Sequence, residues 1–190
     1  MGDTQGYRLS EGNVMGQGDD QLSMDLGVPV EQTAWDKWVD PDRRKAQAQK
    51  FMDYAGISGL PSEPWPEDSA EVKRLDSIVA ELFPTRAAAA AAPDDADLVD
   101  AFVCFIGACF ERFAGSRFID EEWFGREYSF YDDVNPALEM DTGDEEDVET
   151  VWGLIGRMIE YSPEEHEGMF CKMAAAIREY ASLHEGHRSR

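Results

Sequence analysis

Positive charge is what this sequence has least of: 17 lysines and arginines stand against 40 aspartates and glutamates, a net charge of -23. A body this negative repels phosphate backbones and anionic lipid, which argues against direct nucleic-acid and membrane-surface binding and favours basic partners. Solubility alone also accounts for an acidic surface. Cysteine is scarce as well. Cys104, Cys109 and Cys171 are odd in number and sit inside helical apolar patterns, so neither a disulfide framework nor a CxxC redox or zinc signature is present. The three histidines, His166, His184 and His187, lack the HExxH spacing of a zincin. His166 and His184 fall about 27 Å apart along one helix, too far to share a metal, and all three read as rim residues near helix ends. There is no Gly-rich phosphate loop, GxSxG elbow or nucleophilic cysteine context, and no cofactor signature. The longest uncharged run, Ala101 to Phe110, is bounded by Asp100 and Glu111 and falls well short of the roughly 20 residues of a membrane span. Met1 to Gly18 shows no basic-then-apolar order, which predicts a cytoplasmic protein.

What is present is organised around Leu98 to Phe113, LVDAFVCFIGACFERF. At 3.6 residues per turn Leu98, Phe102, Phe105, Ile106, Cys109 and Phe113 form one broad stripe, and Val99, Val103 and Phe110 lie outside it. A helix apolar on all sides is a buried one. Pro93, Asp94, Asp95 and Asp97 mark its start and Gly115 its stop.

Ahead of this helix, residues 1 to 30 read as a flexible arm with one short strand near Gln21 to Val30. Residues 31 to 92 read as a helical extension and linker. Trp35, Trp38 and Val39 open it as an aromatic anchor, either onto the body or toward a partner. Asp40-Pro41 through Ala55, then Gly56, is a well-punctuated helix. Its outer face carries Arg43, Arg44, Lys45 and Lys50, for which pairing with the body's own carboxylates is the simplest role. Three prolines make Gly59 to Pro66 a connector in which Trp65 plugs a surface groove. Asp68 with Glu71 forms a capping box for a helix to about Phe83, its inner face Val72, Leu75, Ile78, Val79 and Leu82. Arg86 to Ala92 is a spacer.

Residues 93 to 184 form the expected core. After Gly115 the period shortens: Ser116 to Phe124 and Glu127 to Val134 predict two strands divided at Gly125-Arg126, with a third around Ala137 to Met140. Asp141 to Asp147 is an acidic loop leading into a helix from Val148 to Tyr161, where Gly153 and Gly156 admit a close neighbour. Ser162-Pro163-Glu164-Glu165 starts the last helix, and 185 to 190 is a frayed tail. The fold class is α+β: a central buried helix, a small antiparallel sheet, two C-terminal helices and a helical N-terminal extension.

Chemistry is harder to find than architecture. Asp141, Asp144, Glu145, Glu146 and Asp147 offer carboxylate oxygens to a cation such as calcium, but Gly143 breaks the EF-hand order, and acids before a helix start are stabilising without an ion. Asp132-Asp133 and Glu121-Glu122 invite a glycosidase reading, yet neighbours on a strand face opposite ways. The segment FIGACFERFAGSRFIDEEW, through Phe105, Ile106, Gly107, Gly115 and Trp123, resembles uncharacterised bacterial helix and short-sheet domains and small immunity proteins of polymorphic toxin systems. The resemblance spans about a tenth of the chain and implies a non-enzymatic binder. Three functions follow as expectations. The first is an acidic binding or inhibitor protein that docks a basic protein through Asp120, Glu121, Glu122, Asp132, Asp133 and Asp141 to Asp147. The second is an adaptor that binds through Trp35, Trp38 and Trp65, and the third a carboxylate-metal enzyme.

Overall fold

The first backbone amides of a helix need outside acceptors, and short polar side chains supply them along this chain. The computed structural model describes residues 31–83, 96–122, 128–144, 147–160 and 169–189. Helix α1, Ala34–Val39, opens on a capping box: the Thr33 hydroxyl accepts from the Asp36 amide at 3.0 Å, and the Asp36 carboxylate accepts from the Thr33 amide at 2.9 Å. Asp40 ends α1 and caps α2, Pro41–Ala55, by accepting from the Arg43 amide at 2.9 Å; Gly56, at φ 66°, closes it. Helix α3, Ala70–Leu82, is capped by Ser69 rather than by the expected Asp68. The Ser69 amide donates to the Pro66 carbonyl, which places Asp68 inside a turn and brings the Ser69 hydroxyl to the Val72 amide at 3.2 Å.

Helix α4, Ala96–Ala114, is the apolar run, buried on every side except at its first three residues and at Ala108, Glu111 and Arg112. Phe102, Phe105, Ile106 and Phe110 are each 0% exposed. Helix α2 lies along one flank, its Phe51 ring 5.0 Å from Phe102 and 4.9 Å from Phe105. On the other side runs α6, Met169–Arg188, placing Phe170 and Tyr180 against Phe105 and Phe110. Helix α3 rests on α6. Its Asp76 carboxylate accepts from the Cys171 amide at 3.0 Å, capping α6 from another helix. The stretch expected as an extension therefore shares the core, to which it gives Trp38, Phe51, Trp65, Val72, Leu75 and Phe83 among others: Gln32–Arg190 is one compact unit.

Three short antiparallel strands follow in the order β1-β2-β3: β1 Arg117–Asp120, β2 Pro136–Glu139, β3 Val148–Thr150. Phe118 of β1 lays its ring on Gly107 of α4, where an added Cβ would overlap it. The strand expected over Glu127 to Val134 is absent from its described residues. There the Ser129 hydroxyl accepts from the Tyr131 amide and donates to the Val134 carbonyl, so a side chain takes the bonds that a ladder would use. The strand expected third is the middle one. Val148–Thr150, expected as the first helical turn, pairs with β2 as Glu139 with Val148 and Ala137 with Thr150. The acidic loop is thus the turn of a hairpin, with Gly143 at φ 85° and the Asp147 amide bonded to the Asp144 carbonyl. Helix α5, Val151–Glu160, begins at once, the Thr150 hydroxyl accepting from the Gly153 amide at 3.0 Å.

Helix α6 continues through the residues expected to fray, ending at Arg188. The expected arm, the 86 to 92 spacer, the Ser162 start signal, Trp123, Glu145, Glu146 and His166 lie outside the described residues. The α+β class holds. No helix of the described residues is long and apolar enough to cross a membrane.

Candidate partner-binding surface

The register of β2 sorts the acidic residues into two groups. Asp120 pairs with Pro136 at one end of the strand, and Glu139 pairs with Arg117 and Val148 at the other. Three steps of about 3.3 Å, from Pro136 to Glu139, separate the two ends by roughly 10 Å. At the Pro136 end Asp120, Glu121 and Glu122 lie beside the loop of Asp132 and Asp133, because the Glu121 amide donates to the Asn135 carbonyl and the Asp120 carboxylate accepts from the Asn135 amide at 2.7 Å. At the Glu139 end sits the hairpin turn Asp141 to Asp147, joined to β2 by the Met140 amide and Asp147 carbonyl.

The two ends use their carboxylates differently. Asp141 is gripped by two imidazoles three residues apart on α6: His184 Nδ1 lies 3.0 Å from one carboxylate oxygen and His187 Nδ1 2.9 Å from the other. Both rings lean on glycines that hold positive φ, His184 on Gly115 and His187 on Gly143. Asp147 accepts from the Thr142 hydroxyl at 2.8 Å and from the Tyr180 hydroxyl at 3.1 Å. Burial first, and the Asp147 charge second, push the Tyr180 phenol up to about 12. Asp141 and Asp147 are thereby tied into the fold. Asp132 and Asp133, by contrast, are exposed, and neither makes a hydrogen bond or ion pair with the described residues.

Bonded to the neighbouring Tyr131 is the most buried carboxylate among the described residues. Asp100 on α4 is 7% exposed, and it accepts from Arg43 Nη2 at 2.7 Å and from the Tyr131 hydroxyl at 2.6 Å. Burial works against the Arg43 charge, but the hydrogen bond and charge of Asp100 outweigh it and raise the guanidinium above its ordinary value. Burial, then the Asp100 charge, push the Tyr131 phenol far up, so it stays a donor. The Trp38 N–H, which makes no hydrogen bond of good geometry, lies near enough to oppose that rise slightly. Cys104, 3.8 Å from Arg43, is pushed up to about 12 by burial and then by Asp100, and a thiol so protonated is no nucleophile. Cys109 is raised by burial alone. The group ties α2, α4 and the Tyr131 loop together.

The tryptophans expected to make surface contacts do not share a surface. Trp38 is 5% and Trp65 7% exposed. Trp38 is enclosed by Trp35 stacked at 5.5 Å, by the edges of Phe118 and Tyr131, and by Arg43 over its ring. Trp65 packs on Phe105 and Phe113. An indole placed over a phenylalanine-rich helix gains more by burial than by exposure, and the adaptor reading loses two of its three residues. Asp132 and Asp133, expected on opposite faces of a strand, instead sit in a bend and line one concavity with Trp38, Phe130, Tyr131 and Val134. Among the described residues no group of three or more histidines, cysteines or acids is placed to hold a metal ion.

Three of the four bases expected on the outer face of α2 pair with the body's own carboxylates, and Lys45 is exposed and makes no ion pair among the described residues. Arg43 pairs with Asp100, Arg44 with Glu111 at 2.6 Å and Lys50 with Asp97. Arg43 and Arg44 also donate to the Trp38 and Val39 carbonyls, closing the end of α1. Elsewhere Arg117 pairs with Glu139, Arg157 with Glu149 and Arg178 with Glu67. No protein-family model, curated protein or solved structure matches this chain.

Proposed function

We propose that this is a cytoplasmic, non-enzymatic binding protein, of an inhibitor or immunity type, whose acidic surface docks a basic protein. The observation that carries the reading is the use of cations within the fold: among the described residues Arg43, Arg44, Lys50, Arg117, Arg157 and Arg178 pair with the chain's own carboxylates, in a sequence whose 40 acids outnumber its 17 bases. A field of one sign accelerates encounter with a partner of the other sign and rejects partners of its own. Asp132 and Asp133, exposed and without a bond to the described residues, are the part of that field least committed to the fold.

The test is affinity capture on the immobilised full chain, followed by association kinetics with the captured protein. The expected partner is basic, and its association slows by at least about tenfold between roughly 50 and 500 mM salt, as the Debye length contracts. Capture of a neutral or acidic protein, or a rate indifferent to salt, overturns the reading.

A further inference from the structure

We draw no further inference here: the strongest candidate, the hollow between Trp38 and the loop of Asp132 and Asp133 at the Pro136 end of β2, rests on two exposed carboxylates alone, the buried Trp38 indole N–H lying toward the Tyr131 hydroxyl and not into the hollow.

Discussion

Asp141 and Asp147 at one end of β2, and Asp132 and Asp133 at the other, are put to opposite uses. At the hairpin end His184, His187, Thr142 and Tyr180 take up Asp141 and Asp147, so those carboxylates hold α6 to the sheet. At the other end Asp132 and Asp133 hold nothing, and the residue beside them, Tyr131, is anchored from behind by Asp100. The difference teaches that an acidic run in a sequence is two kinds of object. A carboxylate that faces an imidazole or a hydroxyl is a fold element, whereas one left in water is available to a partner.

Substitutions test that division, and the largest effect is expected behind the open end. Asp100→Ala strands a half-buried guanidinium and a largely buried phenol, and the protein should lose about 3 kcal/mol in urea unfolding, the low end of the cost of breaking a buried pair. A loss below about 1 kcal/mol would show that the Tyr131 loop is held by something else. At the tied end Gly115→Ala forces φ +63° on a β-carbon that meets the His184 ring, and about 2 kcal/mol should be lost on strain and displacement together. Alkaline pH should loosen the same end. The Tyr180 phenol is raised in the folded state relative to the free chain, so its contribution is complete below about pH 10 and fades as pH rises through about 12. Stability measured against pH should therefore fall across that interval, and fall less in Tyr180→Phe. The smallest effect is expected from D132N/D133N, within about 0.5 kcal/mol of the parent by the same unfolding assay. A larger loss would erase the contrast between the two ends.

Much of this was legible from the residues. The all-round apolar run at Ala101 to Phe110 is a buried helix because no face of it tolerates water, and Asp40-Pro41 with Gly56 bounds α2 because caps are local chemistry. The Thr33-x-x-Asp36 box of α1 was there to be read by the same rule. What the sequence hides is non-local. Nothing near Asp76 indicates that it caps α6, and nothing in Val148-Glu149-Thr150 settles between a helical turn and a strand until Glu139 and Leu138 arrive as partners. The site followed the same pattern. The acids were visible as a set, but their sorting into tied and bare depended on His184 and His187 reaching Asp141 across 43 and 46 residues. Trp38 and Trp65 were misplaced because an indole beside prolines or charges looks like a surface group until a helix of phenylalanines is laid against it.

The sheet itself limits how a visitor can attach. Its outer members run for only four and three residues, so each margin offers very few unsatisfied main-chain groups to an incoming ribbon. Annexing a further strand would gain little, and stacking of copies margin to margin is discouraged by the same brevity and by mutual repulsion. On the reading proposed above, recognition of a basic partner falls to side chains, which single substitutions are free to retune.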